Sequence, residues 1–148
     1  MVRKIFFGII VLLILIQFFP IDKENPPFEP EHDFLVMTNP PEEVEVIFQN
    51  VCYDCHSHKT EYPWYTSVAP VSWWIDHHIE EGREHLNFSE WGNFSKERQK
   101  HKLEEVIEEV EEGEMPLKSY TWMHEGARLT AEERNNLTSW VEKLKERL

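Results

Sequence analysis

Apolar residues recur along this chain three and four positions apart, and no stretch alternates in the two-residue rhythm of a convincing strand. Val44, Ile47, Phe48 and Val51 make a first stripe, and Val71, Trp74, Ile75, His78, Ile79, Gly82 and Leu86 a second. A third runs through Leu103, Val106, Ile107 and Val110, a fourth through Leu137, Trp140, Val141, Leu144 and Leu148. Helix-boundary residues sit where these stripes begin and end. Asn39-Pro40-Pro41-Glu42 reads as an N-cap, a first-turn proline and a capping-box glutamate. Pro70 opens the second helix, and Ser95 caps a third over Lys96 to Glu112 that stops at Gly113. Thr130-Ala131-Glu132-Glu133 is a capping box for the last. Asn87 to Phe94 reads as a turn-rich break with three aromatics, and Glu114 to Leu129 as a loop. The pattern predicts a small all-α domain.

The N-terminus departs from this amphipathic pattern. Arg3 and Lys4 precede Ile5 to Ile21, an almost unbroken apolar run whose helical length would be roughly 26 Å, the short end of what crosses a bilayer. No small-x-small cleavage site follows, which favours a retained signal anchor over residues 1–21 rather than a removed signal peptide. Arg3 and Lys4 would then remain cytoplasmic, placing the rest at the outer face of the inner membrane, in the periplasm. Residues 22–38, rich in Pro, Glu and Asn, read as an extended linker, with residues 39–148 as the domain proper; Phe34 to Met37 also admit a loop packed on that domain.

Charge narrows the choice of partners. With 15 basic against 28 acidic residues the formal net charge is −13, which argues against nucleic acid and would steer a basic protein partner towards the surface. The glutamate pairs of the third helix are simplest as a solvated face. Six Trp and nine Phe suit either an ordinary aromatic core or the walls of a flat apolar cofactor site.

The chemistry is concentrated at Cys52-Tyr53-Asp54-Cys55-His56, which holds the only two cysteines. C-x-x-C-H is the attachment sequence of c-type haem: two thiols a helical turn apart reach the two vinyl groups of one porphyrin edge, and the adjacent imidazole binds iron. A redox dithiol would want a βαβ context and a zinc ribbon a second cysteine pair, and neither is present. One covalent haem c is therefore expected on Cys52 and Cys55, with His56 as proximal ligand. For the opposite face of the iron the late loop offers Met115, Met123 and His124, and His78 lies on the second apolar stripe, where a hydrogen-bonded core histidine is the plainer reading.

The order of parts resembles class I cytochromes c: a helix entering C-x-x-C-H, a late Met115-Pro116 and a capped last helix. Further motifs are more specific. Tyr62-Pro63-Trp64-Tyr65, Pro70-Val71-Ser72-Trp73-Trp74, His78-Ile79, Glu81-Gly82-Arg83 and Leu86-Asn87-Phe88-Ser89, together with the cysteine motif and Met115-Pro116, resemble the bacterial haem-binding domain family, over about residues 35 to 145. The resemblance implies a class I cytochrome c-like helical fold and Met115 as second axial ligand, with His78 or His124 as replacements in a bis-histidine site. Met115-Pro116-Leu117 departs from the family's frequent Met-Pro-Pro. Electron transfer by a membrane-tethered monohaem protein is the leading expectation. A peroxidase-like haem enzyme with an open or histidine-ligated distal side is the alternative.

Overall fold

The computed structural model describes residues 1–148, and every regular element in it is helical. Helix α1 is Val2–Ile16, followed by short α2 (Phe34–Thr38) and α3 (Glu42–Ile47). A π turn over Phe48–Cys52 links α3 to α4 (Tyr53–His56). Then come α5 (Val71–His85), α6 (Lys96–Glu112), α7 (Lys118–Met123) and α8 (Ala131–Arg147).

Three of the expected boundaries hold to the residue. Ser95 Oγ accepts from the Arg98 amide, Gly113 takes φ 77° at the end of α6, and Thr130 and Glu133 close a reciprocal capping box on α8. Asn39 is different. It is the left-handed C-cap of α2 (φ 45°), and Pro41 occupies the N-cap of α3. The Asp33 side chain starts α2 by accepting from the Leu35 amide, so a five-residue helix fits in what reads from the sequence as linker. The late loop also contains structure, α7, whose Lys-Ser-Tyr-Thr-Trp-Met sequence carries no apolar stripe to announce it.

Helix α8 lies against both α6 and α3, and the core fills the space they share with the 87–94 segment. Phe34 is its centre, fully buried, with ring centroids of Phe48, Trp91 and Phe88 at 4.9, 4.9 and 5.0 Å. Edge and tilted ring contacts of this kind add to the apolar burial itself. Phe88 and Trp91 sit in a 3-10 turn, so the aromatics of that break are core. The second stripe is buried only in its later half: Ile79, Gly82 and Leu86 are inside, whereas Val71 and Trp74 are exposed.

The N-terminal expectation requires correction. The helix ends at Ile16, about 22 Å long by the rise per residue, and the chain turns through Gln17 to Phe19 before Pro20. No helix is long and apolar enough to cross a membrane. The Pro-rich stretch runs along the domain rather than away from it. Asn25 donates to the Thr60 carbonyl and accepts from Arg83, Phe28 lies edge-on to His58 with Lys59 over its ring, and His32 packs against Gly92.

Candidate functional site

The π turn, unusual in itself and common at functional sites, delivers the chain into Cys52–His56. On α4, residues 52, 55 and 56 share one side, as i, i+3 and i+4 positions do. Both thiols are free. Burial, with Cys55 beside it, pushes Cys52 up to about 12, and burial with Asp54 pushes Cys55 up to about 11. Such thiols stay protonated at neutral pH, opposite to the lowered thiol of a redox pair. No group of three or more His, Cys, Asp or Glu side chains is gathered to hold a metal ion.

His56 is oriented from α5. Its Nδ1 lies 2.9 Å from the Gly82 carbonyl and 3.1 Å from that of Leu86; since carbonyls only accept, Nδ1 carries the proton and donates. Nε2 is left as the lone-pair nitrogen. Burial lowers the His56 pKa against the raising effect of those two carbonyls, so the ring is neutral. The close approach depends on Gly82, where a Cβ would come within 2.8 Å of the Cys55 carbonyl oxygen. Phe88, 6.3 Å away and edge-on, joins the imidazole to the aromatic core, and Tyr53 stacks on that same ring at 5.4 Å. Below the motif, Arg83 donates to the Ser57 carbonyl and the Thr60 hydroxyl, and Ser57 Oγ donates to the Tyr53 carbonyl, so α4 cannot swing freely.

Cys52, Cys55 and His56 are thus held on one rigid turn. Met115 follows the Gly113 cap of α6, its amide donating to the Glu109 carbonyl, and its half-buried side chain packs on the core cluster that Cys52 also touches. His78 lies apart, half-exposed, its ring 4.4 Å from Trp74 and Nδ1 2.8 Å from the Trp74 carbonyl. His124 is enclosed by other partners. Its ring stacks on Tyr120 at 4.0 Å, Nδ1 donates to the Tyr120 carbonyl and Nε2 accepts from Tyr65.

His124 lines a cavity of about 510 Å³ with Gln49, Asn50, Asp54 and Tyr120. Across it the Tyr120 hydroxyl donates to Asp54 Oδ2 at 2.7 Å. Residues 49, 50, 53 and 54 belong to a different face of the motif helix from 52, 55 and 56, and the cysteines, His56 and Met115 do not line this cavity. Tyr120, the pairing of Tyr65 with His124 and the supporting carbonyls of Gly82 and Leu86 are not announced by the sequence. Only Gly82 left a signal there, a glycine inside an apolar helical stripe, which marks close backbone approach.

The model of the haem-binding domain family matches residues 11–143. The chain belongs to that family. No curated protein and no solved structure gives a significant match. As a haem-binding domain, it has a donor set that suits the group: two protonated thiols and a neutral, tautomer-fixed imidazole on one helical turn, backed by aromatic rings.

Proposed function

We propose that this haem-binding domain is a monohaem c-type cytochrome that carries electrons in the cell envelope, held at the membrane by its N-terminal apolar helix, which inserts into the bilayer surface without crossing it. The observation that carries it is the imidazole of His56, proton-fixed by two backbone carbonyls and one residue from a free cysteine. Metal-bound histidines characteristically donate their second ring nitrogen in this way, which raises ligand basicity and stops ring rotation. Bound haem supplies a one-electron iron couple. Cys52 and Cys55 would anchor it, each S–H able to add across a vinyl C=C so that sulfur bonds one carbon and hydrogen the other. Met115 would be the second residue to hold the iron: it is half-buried against the core cluster on which Cys52 also packs, whereas both nitrogens of His124 are already engaged and His78 lies out on α5. A basic redox partner would be drawn by the charge of −13.

Haem staining after denaturing electrophoresis tests the attachment. Colour should stay with the wild-type polypeptide made in a strain with working cytochrome maturation and be lost in Cys52→Ser/Cys55→Ser. A sulfur-to-iron band in the ferric spectrum, abolished in Met115→Ala, is the expected mark of the distal ligand. Colourless wild-type protein would end the proposal.

The cavity beside Tyr65, Tyr120 and His124 favours a second reading, a peroxidase-like enzyme in which His124 serves acid–base chemistry. Ferric protein that is high-spin and binds cyanide rapidly is the outcome that would put this reading first.

A further inference from the structure

Helix α1 buries none of its residues, although nearly all are Ile, Leu, Val or Phe. Its C-terminal end is fastened to the domain. The Gln17 carboxamide pairs with the backbone of Ala69 in both directions, donating to its carbonyl and accepting from its amide, each at 3.0 Å. Two residues on, the Phe19 carbonyl accepts from the Trp73 indole N–H at 2.8 Å. These bonds hold the end of α1 against the start of α5, and there the domain presents a group of large apolar side chains to solvent: Trp73 is 39% and Trp74 48% exposed, beside Phe18 at 75% and Phe19 at 68%. Val68 and Val71 extend the patch.

Helix α5 is polarised along its length. Its first turn holds Val71, Trp73 and Trp74, and its later turns hold Glu80, Glu81, Arg83 and Glu84. An element that is aromatic at one end and charged at the other suits an interface between lipid and water, where an indole ring lies in the headgroup zone with its N–H satisfied. The acidic later turns would be repelled by an anionic surface, so contact is through apolar insertion.

We infer that residues 68–74, with Phe18 and Phe19, rest on the lipid bilayer, and that the Gln17–Ala69 clasp seats the domain there, with the axis of α5 leading away from the membrane. The inference builds on the tether proposed above and adds an orientation: the domain sits on the bilayer surface by one defined face. The occupant is lipid because the patch is continuous with α1, an apolar helix that finds no protein partner of its own.

The full-length holoprotein, reconstituted into phosphatidylcholine vesicles containing a lipid with an acyl-chain diazirine, is irradiated and its adducts mapped by peptide mass spectrometry. Adducts on α1 and on the peptide bearing Val68 to Trp74 are expected. Gln17→Ala should lower the second set several-fold while leaving the first unchanged. Adducts confined to α1 would overturn the docking and leave the tether standing, whereas no adducts anywhere would overturn both. Undiminished 68–74 adducts in Gln17→Ala would remove the clasp.

Discussion

Backbone proximity, rather than a second side chain, sets the chemistry of His56. The carbonyls of Gly82 in α5 and of Leu86, its C-cap, reach Nδ1 only because Gly82 lets α5 close on α4. Gly82→Ala puts a methyl carbon 2.8 Å from the Cys55 carbonyl oxygen, which is main chain and cannot rotate away. We expect a loss of about 1–3 kcal/mol in denaturant unfolding and a lower yield of haem-loaded protein. Two tyrosines make a second residue-scale test. Burial first, then the Asp33 charge and hydrogen bond, raises the Tyr53 phenol above its usual value; burial and the hydrogen bond to Asp54 do the same for Tyr120. The fold therefore keeps protons that the unfolded chain releases, so stability holds below pH of about 10 and falls as pH rises past it. Absorbance near 295 nm should show both phenols silent until the chain unfolds, and Tyr53→Phe/Tyr120→Phe should flatten the alkaline loss of stability.

At the level of elements, α6 is defined by chemistry that needs no tertiary context. Ser95 and Gly113 bound it, and the structure agrees at both ends. Gly113 has φ 77° with nothing within 4 Å of where a Cβ would lie, so Gly113→Ala carries only the backbone cost of the left-handed region. That is about 1 kcal/mol, or some 4 °C in a thermal melt. Because Met115 hangs from this cap, the same variant should weaken the sulfur-to-iron band more than its small stability loss suggests. Where the sequence was legible, local signals and apolar period agreed, as in α5, α6, α8 and the cysteine motif. The legible part of the site was likewise the contiguous part, Cys52 to His56. Illegible were α2, whose cap Asp33 lies in a Pro-rich stretch, and α7, which has no apolar stripe. The partners of His56 are carbonyls, which leave no trace in side-chain identity, and the Asp54–Tyr120 and Tyr65–His124 pairs join residues far apart in the chain.

For the whole molecule, the N-terminal third divides by burial. Residues 2–16 contribute nothing to the core, while Phe34 is its centre and the Asp33 carboxylate binds both Tyr53 and Lys59. Removing residues 1–16 should leave the thermal transition of the domain in place and improve its solubility. Removing residues 1–38 should abolish cooperative melting, since losing a fully buried phenylalanine alone costs about 3–5 kcal/mol. Circular dichroism melts of the two truncations separate these outcomes. The segment from 22 to 38 is therefore a strap tying the apolar helix to the core through Asn25, Phe28, His32 and Phe34.

The π turn at Phe48–Cys52 has a consequence for phase. A π turn is one residue wider than an α turn, so everything after it is rotated by about 100° relative to an unbroken helix. Helix α3 points Val44 and Ile47 into the core, and the extra residue lets the same rod present Cys52, Cys55 and His56 in a direction of their own. Two faces with different tasks are carried on one short helix by a change of screw pitch between them. Deleting a single residue such as Gln49 would leave the helix content nearly unchanged and turn the cysteines and histidine away from α5.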